Sequence, residues 1–316
     1  MKFWMFAATA LSIVFSLTSP TEAWHRVEHE RITVVAVASL PDEIPAFLRR
    51  STDAIASYSN DPDIMRLRQT PQLRNAEAPN HFIDLELLQG KPLPPLRYDY
   101  YAMCFELGVD PHKAGSAPYA IVEQMQRLTT SFAEYRRWPM DPHIRRRVLL
   151  NVGHMAHYAQ DVCNPLHTTV HFDGRVDETG KSLGDDAGKG IHEPTDGLLS
   201  RLEIDMDAMA KSIKPVPYED DIFAAVMTEV MTSHALVDRV YELEAPLRNA
   251  YAKKGASEEV IAFGQSRMTH AVTFTARLIV TAWAASEYLK LPPWHHRSAT
   301  VRKQNPATAD LPALGD

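Results

Sequence analysis

Helical periodicity is the feature of this sequence that most restricts the folds it can adopt. Within 116–137, apolar residues recur at helical spacing, at Ile121, Met125, Leu128 and Phe132. This spacing gives a helix one continuous apolar face. Similar patterns recur along most of the chain, and we find no convincing alternation of apolar and polar residues typical of half-buried strands. The sequence therefore predicts an all-α fold.

Prolines and capping residues divide this pattern into separate helices. Asp141 and Pro142 are typical of an N-cap and a first helical position, and Asn164 and Pro165 would end the helix that they open. Asp42 is expected to cap an earlier helix. The predicted helices cover 26–40, 42–57, 116–137, 142–162, 195–212, 219–250 and 256–290.

The first residues have the pattern of a secretory signal peptide. Lys2 supplies the positive start, an apolar run continues to Leu17, and Ala23 is the small residue before the predicted cut. An uncleaved anchor is the alternative, but the run is shorter than the roughly 20 residues of a spanning helix. We therefore expect residues 1–23 to be removed, leaving a secreted or periplasmic protein without a transmembrane anchor. Its mature chain would begin at Trp24.

The remaining chain contains no repeat and no linker that would divide it. We expect one multi-helix domain over 24–291 and a flexible tail over 292–316. A net charge of −7 with neutral histidines gives no general basic field for tight duplex binding. Two cysteines exclude a disulfide scaffold, and Cys104 and Cys163 could either pair or be small core residues.

Histidine is the unusual element of the composition, with 14 residues. His157 and Asp161 lie four positions apart on a predicted helix, so both side chains leave the same face. His192 and Asp196 repeat this spacing, and Pro165 could turn His167 back towards the first pair. One such pair is usually a surface hydrogen bond, but together these residues favour a site for a dication such as zinc.

These motifs resemble the zinc-dependent phospholipase C and single-strand-specific nuclease superfamily, whose members are secreted, mostly helical phosphodiesterases with three zinc ions. The resemblance extends over 24–196, about half of the chain. Members begin with a tryptophan whose amine and carbonyl bind a metal, which Trp24 would match. The metal ligands that the resemblance implies are Trp24, His29, Asp63, His81, His157, Asp161, His167, His192 and Asp196.

The resemblance also implies how these ligands share three zinc ions. The first ion would be held by Asp63, His81, His157 and Asp161. The second would be held by His167, His192 and Asp196, and the third by Trp24, His29 and Asp161. Asp161 would therefore bridge two ions. Asp61 competes with Asp63 for one position, and Asp63 is favoured because Arg66 follows where nuclease members carry a basic residue.

The same comparison implies catalytic and substrate-binding residues. Asp63, Asp161 and Arg66 would support attack of a metal-activated hydroxide on a phosphodiester. Phe82 and Asp84 stand where nucleases stack and hydrogen-bond a base, although phospholipase members carry a similar pair.

The substrate class stays open between two alternatives. Asp196 and Arg66 favour a nuclease that acts on single-stranded nucleic acid, whereas Pro62 and the Asn164-Pro165 pair are closer to bacterial phospholipase C members. We expect a nuclease, and a phospholipase C is the second alternative. From another functional class, a non-catalytic secreted zinc-binding protein is the alternative. No stable protein partner is implied.

Overall fold

The computed structural model describes residues 24–177, 180–184, 188–219 and 221–295. These residues form the predicted all-α fold. Strand pairing in this part of the chain is limited to two isolated bridges, Ile83 with Gly115 and Val176 with Ser182. The predicted signal peptide lies outside the described residues, as does the predicted tail beyond His295.

Most of the described chain is helical. The α-helices are α1 (Arg26–Ala38), α2 (Phe47–Arg50), α3 (Thr52–Tyr58), α4 (Asp61–Ile64), α5 (Pro71–Glu77), α6 (Arg97–Glu106), α7 (Pro111–Ala114), α8 (Ala117–Arg137), α9 (Pro142–Asp161), α10 (His192–Asp196), α11 (Met206–Ser212), α12 (Ile222–His234), α13 (Val237–Glu242), α14 (Glu244–Tyr251) and α15 (Glu258–Ala285). Short 3-10 helices lie at Ala78–His81, Leu85–Leu88, Pro165–Thr168 and Leu199–Arg201. None of the described helices is both long and apolar enough to cross a membrane.

The centre of the fold is the pair α8 and α9, against which α15 packs. Helix α1 contacts α3, α9 and α15, and α3 also packs against α9. The apolar face predicted for α8 is buried, since Ile121, Leu128 and Phe132 are inaccessible to solvent and Met125 is almost so. Helix α9 is therefore enclosed by several neighbours along its C-terminal half, where the histidine motif lies.

Some predicted helices are shorter than the periodicity indicated. The helix predicted over 42–57 begins only at Phe47, because Pro45 disfavours the helical conformation of Ile44 before it, and it is divided at Ser51. The prediction that Asp42 caps it was wrong, since the N-cap is Ala46 and the Asp42 carboxylate lies 3.4 Å from Arg49 Nη2. The patterns over 195–212 and 219–250 are likewise divided into shorter helices.

Asp141 caps α9 as predicted, and the cysteine alternative is decided by the structure. The Asp141 carboxylate accepts hydrogen bonds from the backbone N–H groups of His143 and Ile144, at 2.9 and 3.4 Å. Cys104 and Cys163 are both buried and free, so they occupy core positions and do not pair with each other.

Candidate metal centre

The last turn of α9 and the turn that follows it bring three predicted site residues together. His157 Nε2 lies 3.4 Å from Asp161 Oδ2, and both side chains are fully buried. After α9 ends, the Asn164 side chain accepts from the Leu166 N–H at 3.1 Å and opens the 3-10 helix Pro165–Thr168. This turn places His167 Nδ1 4.0 Å from Asp161 Oδ1.

The first group of possible metal ligands contains Asp63, His81 and His157. Asp63 Oδ1 lies 3.9 Å from His81 Nδ1 and 3.8 Å from His157 Nε2. His81 Nδ1 is also 3.1 Å from Asp161 Oδ2. Asp61 is not part of this group, because its carboxylate lies 3.2 Å from His154 Nε2. Of the two competing aspartates, Asp63 is the one beside the histidines.

The second group contains His167, His192 and Asp196. The two carboxylate oxygens of Asp196 lie 3.8 Å from His167 Nε2 and 3.3 Å from His192 Nδ1. The two imidazole rings stack with their centroids 5.1 Å apart. Asn164 Nδ2 donates to Asp196 Oδ1 at 2.5 Å and thereby fixes the carboxylate between the rings.

The third group contains His29, His157 and Asp161. His29 Nε2 lies 3.4 Å from Asp161 Oδ1, and its ring stacks on His157 with a centroid distance of 4.1 Å. The indole of Trp24 is buried, and its Nε1 donates to the backbone oxygen of Gln160 at 2.9 Å. Trp24 is thereby held beside the residue that precedes Asp161, while binding of a metal by its amine stays a prediction.

Unpartnered polar atoms test whether metal ions fit these groups. Among the described residues, buried atoms that have no hydrogen-bond partner include His29 Nε2, His81 Nε2, Asp161 Oδ1, His167 Nε2, His192 Nδ1 and Asp196 Oδ2. Leaving one buried polar atom unpaired costs about 1–3 kcal/mol. A cation in the second group and one in the third would give all of these atoms except His81 Nε2 a partner, while in the first group it is His81 Nδ1 that faces the carboxylates. By ligand type and spacing, all three groups could hold metal ions.

The charge states of Asp161, His81 and His157 are suited to cation binding. Burial opposes ionisation of Asp161, but His157, His29 and His81 outweigh it and keep its pKa well below the usual value. Burial, aided by the positive charge of Arg66, lowers the pKa of His81 to about 3. Burial also lowers the pKa of His157 well below its usual value. Asp161 is therefore an anion, and His81 and His157 keep a free lone pair.

Outer hydrogen bonds orient the imidazoles. His157 Nδ1 donates to the backbone oxygen of Ser59 at 2.7 Å, and His167 Nδ1 donates to that of His81 at 2.8 Å. In both rings Nε2 is consequently the nitrogen that is left to face the carboxylates. Such partners fix the tautomer and orientation of metal-binding histidines.

The predicted catalytic and substrate residues border these groups. Arg66 Nη2 forms an ion pair with Asp63 Oδ1, and the arginine side chain is 14% exposed. Phe82 is half-buried against Gly115, where an added Cβ would collide with the Phe82 backbone oxygen. Asp84 is buried, and its burial together with Glu86 raises its pKa to about 8.

Sequence reasoning missed three residues of the site. Gln160 and Asn164 hold His29 and Asp196, at 2.7 and 2.5 Å, and their only signal was proximity to the α9 motif. Phe172 is 41% exposed, and its ring meets the edge of His192 at a centroid distance of 5.7 Å. Its position depends on the path of the loop after His167, which helical periodicity does not describe.

No family model, curated protein or solved structure matches this chain. The resemblance to the phospholipase C and nuclease superfamily therefore stays a prediction based on the motifs.

Proposed function

We propose that the protein is an exported zinc-dependent phosphodiesterase with three zinc ions. One observation carries this proposal. Three groups of histidines and aspartates that could hold metal ions lie around Asp161, and in two of these groups inward-facing nitrogen and oxygen atoms lack hydrogen-bond partners. Imidazole and carboxylate ligands without cysteine suit zinc better than the harder Mg²⁺ or Ca²⁺.

The ligand sets support catalysis over storage or a structural role. Structural zinc sites are closed by four protein ligands, whereas catalytic sites keep a position open. The three groups here share eight side chains, because His157 belongs to two of them, which leaves room for water and a substrate oxygen. When bound, the zinc ions would acidify water and stabilise the negative charge that develops on phosphate oxygens.

Asp161 and Arg66 have distinct parts in the proposed reaction. The Asp161 carboxylate offers one oxygen to His81 and His157 and the other to His29, so it would connect two ions. Arg66 forms an ion pair with Asp63, and its positive charge helps to lower the pKa values of His81, His157 and His192. Its guanidinium could donate charge-assisted hydrogen bonds to a phosphodiester.

Single-stranded nucleic acid is the substrate that we favour. Phe172 presents an exposed ring beside His192, and unpaired bases stack readily on aromatic side chains. A phospholipid is the second candidate, because Ile64 and Leu67 are 60% and 50% exposed on the segment that carries Asp63 and Arg66. These apolar side chains could contact acyl chains.

The test is a set of parallel hydrolysis assays on the zinc-loaded protein. Bis-nitrophenyl phosphate reports phosphodiesterase activity, and single-stranded DNA and phosphatidylcholine vesicles distinguish the two substrate classes. Asp63→Asn should abolish hydrolysis, whereas Asp61→Asn, two positions away and outside the three groups, should retain it. A zinc-loaded protein that hydrolyses none of the three substrates would favour the non-catalytic zinc-binding alternative.

A further inference from the structure

The side chain of Gln160 connects α9 with α1 inside the protein. It is fully buried, its Oε1 lies 2.7 Å from His29 Nδ1, and its Nε2 donates to Thr33 Oγ1 at 2.9 Å. The backbone oxygen of the same residue receives the Trp24 indole N–H. One residue therefore joins His29, Thr33 and Trp24 to the position immediately before Asp161.

This arrangement determines which nitrogen of His29 can bind a cation. With Gln160 Oε1 as its partner, His29 Nδ1 carries the proton, and the lone pair is on Nε2. His29 Nε2 is buried without a hydrogen-bond partner and lies 3.4 Å from Asp161 Oδ1. The opposite tautomer would direct an N–H at Asp161 and remove the lone pair from the group.

Thr33 contributes a buried hydrogen-bond partner for the Gln160 amide. The amide N–H donors must find an acceptor, because an unsatisfied buried donor costs about 1–3 kcal/mol. Thr33 Oγ1 accepts one of them, which leaves Oε1 directed at His29. Without that hydroxyl, the amide would gain by turning its N–H towards His29 Nδ1, and this would favour the tautomer that cannot bind a metal through Nε2.

We infer that Gln160 is a positioning residue that holds His29 in its metal-binding tautomer, with Thr33 fixing the amide. This inference rests on the proposed metal centre. Outer-sphere partners of this kind typically change metal affinity by about 10- to 100-fold. The effect should be confined to the ion bound by His29, since the other groups have their own outer partners.

The experiment is a zinc titration of the full chain against a competing chelator, in which His29→Ala identifies the binding step of the His29 group. Gln160→Leu should weaken this step about 10- to 100-fold and leave the other steps unchanged. Gln160→Glu should keep near wild-type affinity, because its carboxylate still accepts from His29 Nδ1. Thr33→Val, which preserves the shape of the buried residue, should cause a loss of zinc affinity smaller than that of Gln160→Leu.

A second measurement does not depend on the Gln160 variants. In the zinc-loaded wild-type protein, ¹⁵N-edited NMR should detect a slowly exchanging proton on His29 Nδ1. A proton on Nε2, or unchanged affinity in both Gln160→Leu and Thr33→Val, would overturn the inference. Equal losses of zinc affinity in Gln160→Glu and Gln160→Leu would also overturn the inference, because they would indicate that Gln160 has only a packing role. If the wild-type protein binds no zinc at all, the proposed metal centre itself is wrong.

Discussion

His29 Nε2 lies 3.4 Å from Oδ1 of Asp161, although α1 and the end of α9 are far apart in the sequence. The other oxygen of the same carboxylate faces His81 and His157, at 3.1 and 3.4 Å. A single buried aspartate thus contacts two of the three groups that could hold metal ions. This double contact makes Asp161 the residue on which the proposed function depends most.

Arg66 is expected to contribute to catalysis without binding a metal. Arg66→Ala should lower kcat/KM for bis-nitrophenyl phosphate about 10- to 100-fold, the value of one charged hydrogen bond of roughly 1.5–3 kcal/mol. Arg66→Lys should recover part of this loss, because it keeps the charge but not the two-pronged geometry. The check is steady-state kinetics together with zinc content, which should stay unchanged. Wild-type kinetics in Arg66→Ala would exclude the arginine from the reaction.

The raised pKa of Asp84 predicts how the stability of the metal-free protein changes with pH. Its pKa is about 8 in the folded chain, raised from 3.8 by burial and Glu86. The folded state therefore holds a proton that the unfolded state releases, and Asp84 makes stability fall as pH rises from about 4 to about 8. Asp84→Asn should raise Tm at pH 8 and change it little at pH 4. Thermal unfolding across this range, with chelator present, measures the difference, and an equal shift at both pH values would contradict the prediction.

Asn164 performs two functions that can be separated. Its carbonyl oxygen caps the turn at Leu166, and its amide nitrogen donates to Asp196. Asn164→Asp keeps the capping oxygen but places a second carboxylate beside Asp196. We expect this variant to stay folded and to bind zinc at the His167–His192 group about 10- to 100-fold more weakly.

Asn164→Ala serves as the comparison, since it should also lose about 1 kcal/mol of stability with the cap. Zinc titration and urea unfolding of both variants test these assignments. Undiminished zinc affinity in Asn164→Asp would show that the hydrogen bond to Asp196 does not position the carboxylate.

The predicted processing before Trp24 can be examined directly. If the free amine of Trp24 binds a metal, a chain that begins at this residue should hold one zinc more than a chain with an added residue before it. An acylated nitrogen is a poor ligand, which is the reason for the difference. Metal analysis of the two purified forms provides the comparison. Equal zinc content would remove Trp24 from the proposed ligands.

Long amphipathic helices were predictable from the sequence because their periodicity extends over many turns. The bounds of α8 and α9 agree with the prediction within one residue, and Asp141 caps α9. The sequence overestimated the length of the helix that ends at Tyr58, because Pro45 delays its start. It also predicted α12, α13 and α14 as one helix. Periodicity persists across short breaks between helices that bury the same face, so it cannot locate them.

The site residues were predictable where they lie a few positions apart in the sequence. His157 and Asp161 share a helical face, and His192 and Asp196 do the same. Gln160 was not predictable as a partner of His29, since the contact depends on how α1 packs against α9. Phe172 was missed for the same reason, because loop paths are determined by tertiary contacts.

The most direct test of the account is the zinc content of the purified, processed chain compared with that of Asp161→Ala. If Asp161 connects two ions, the wild-type protein should contain three zinc ions, and the variant should keep only the one held by His167, His192 and Asp196. Wild-type content in the variant, or a wild-type protein that binds no zinc, would contradict the proposed metal centre.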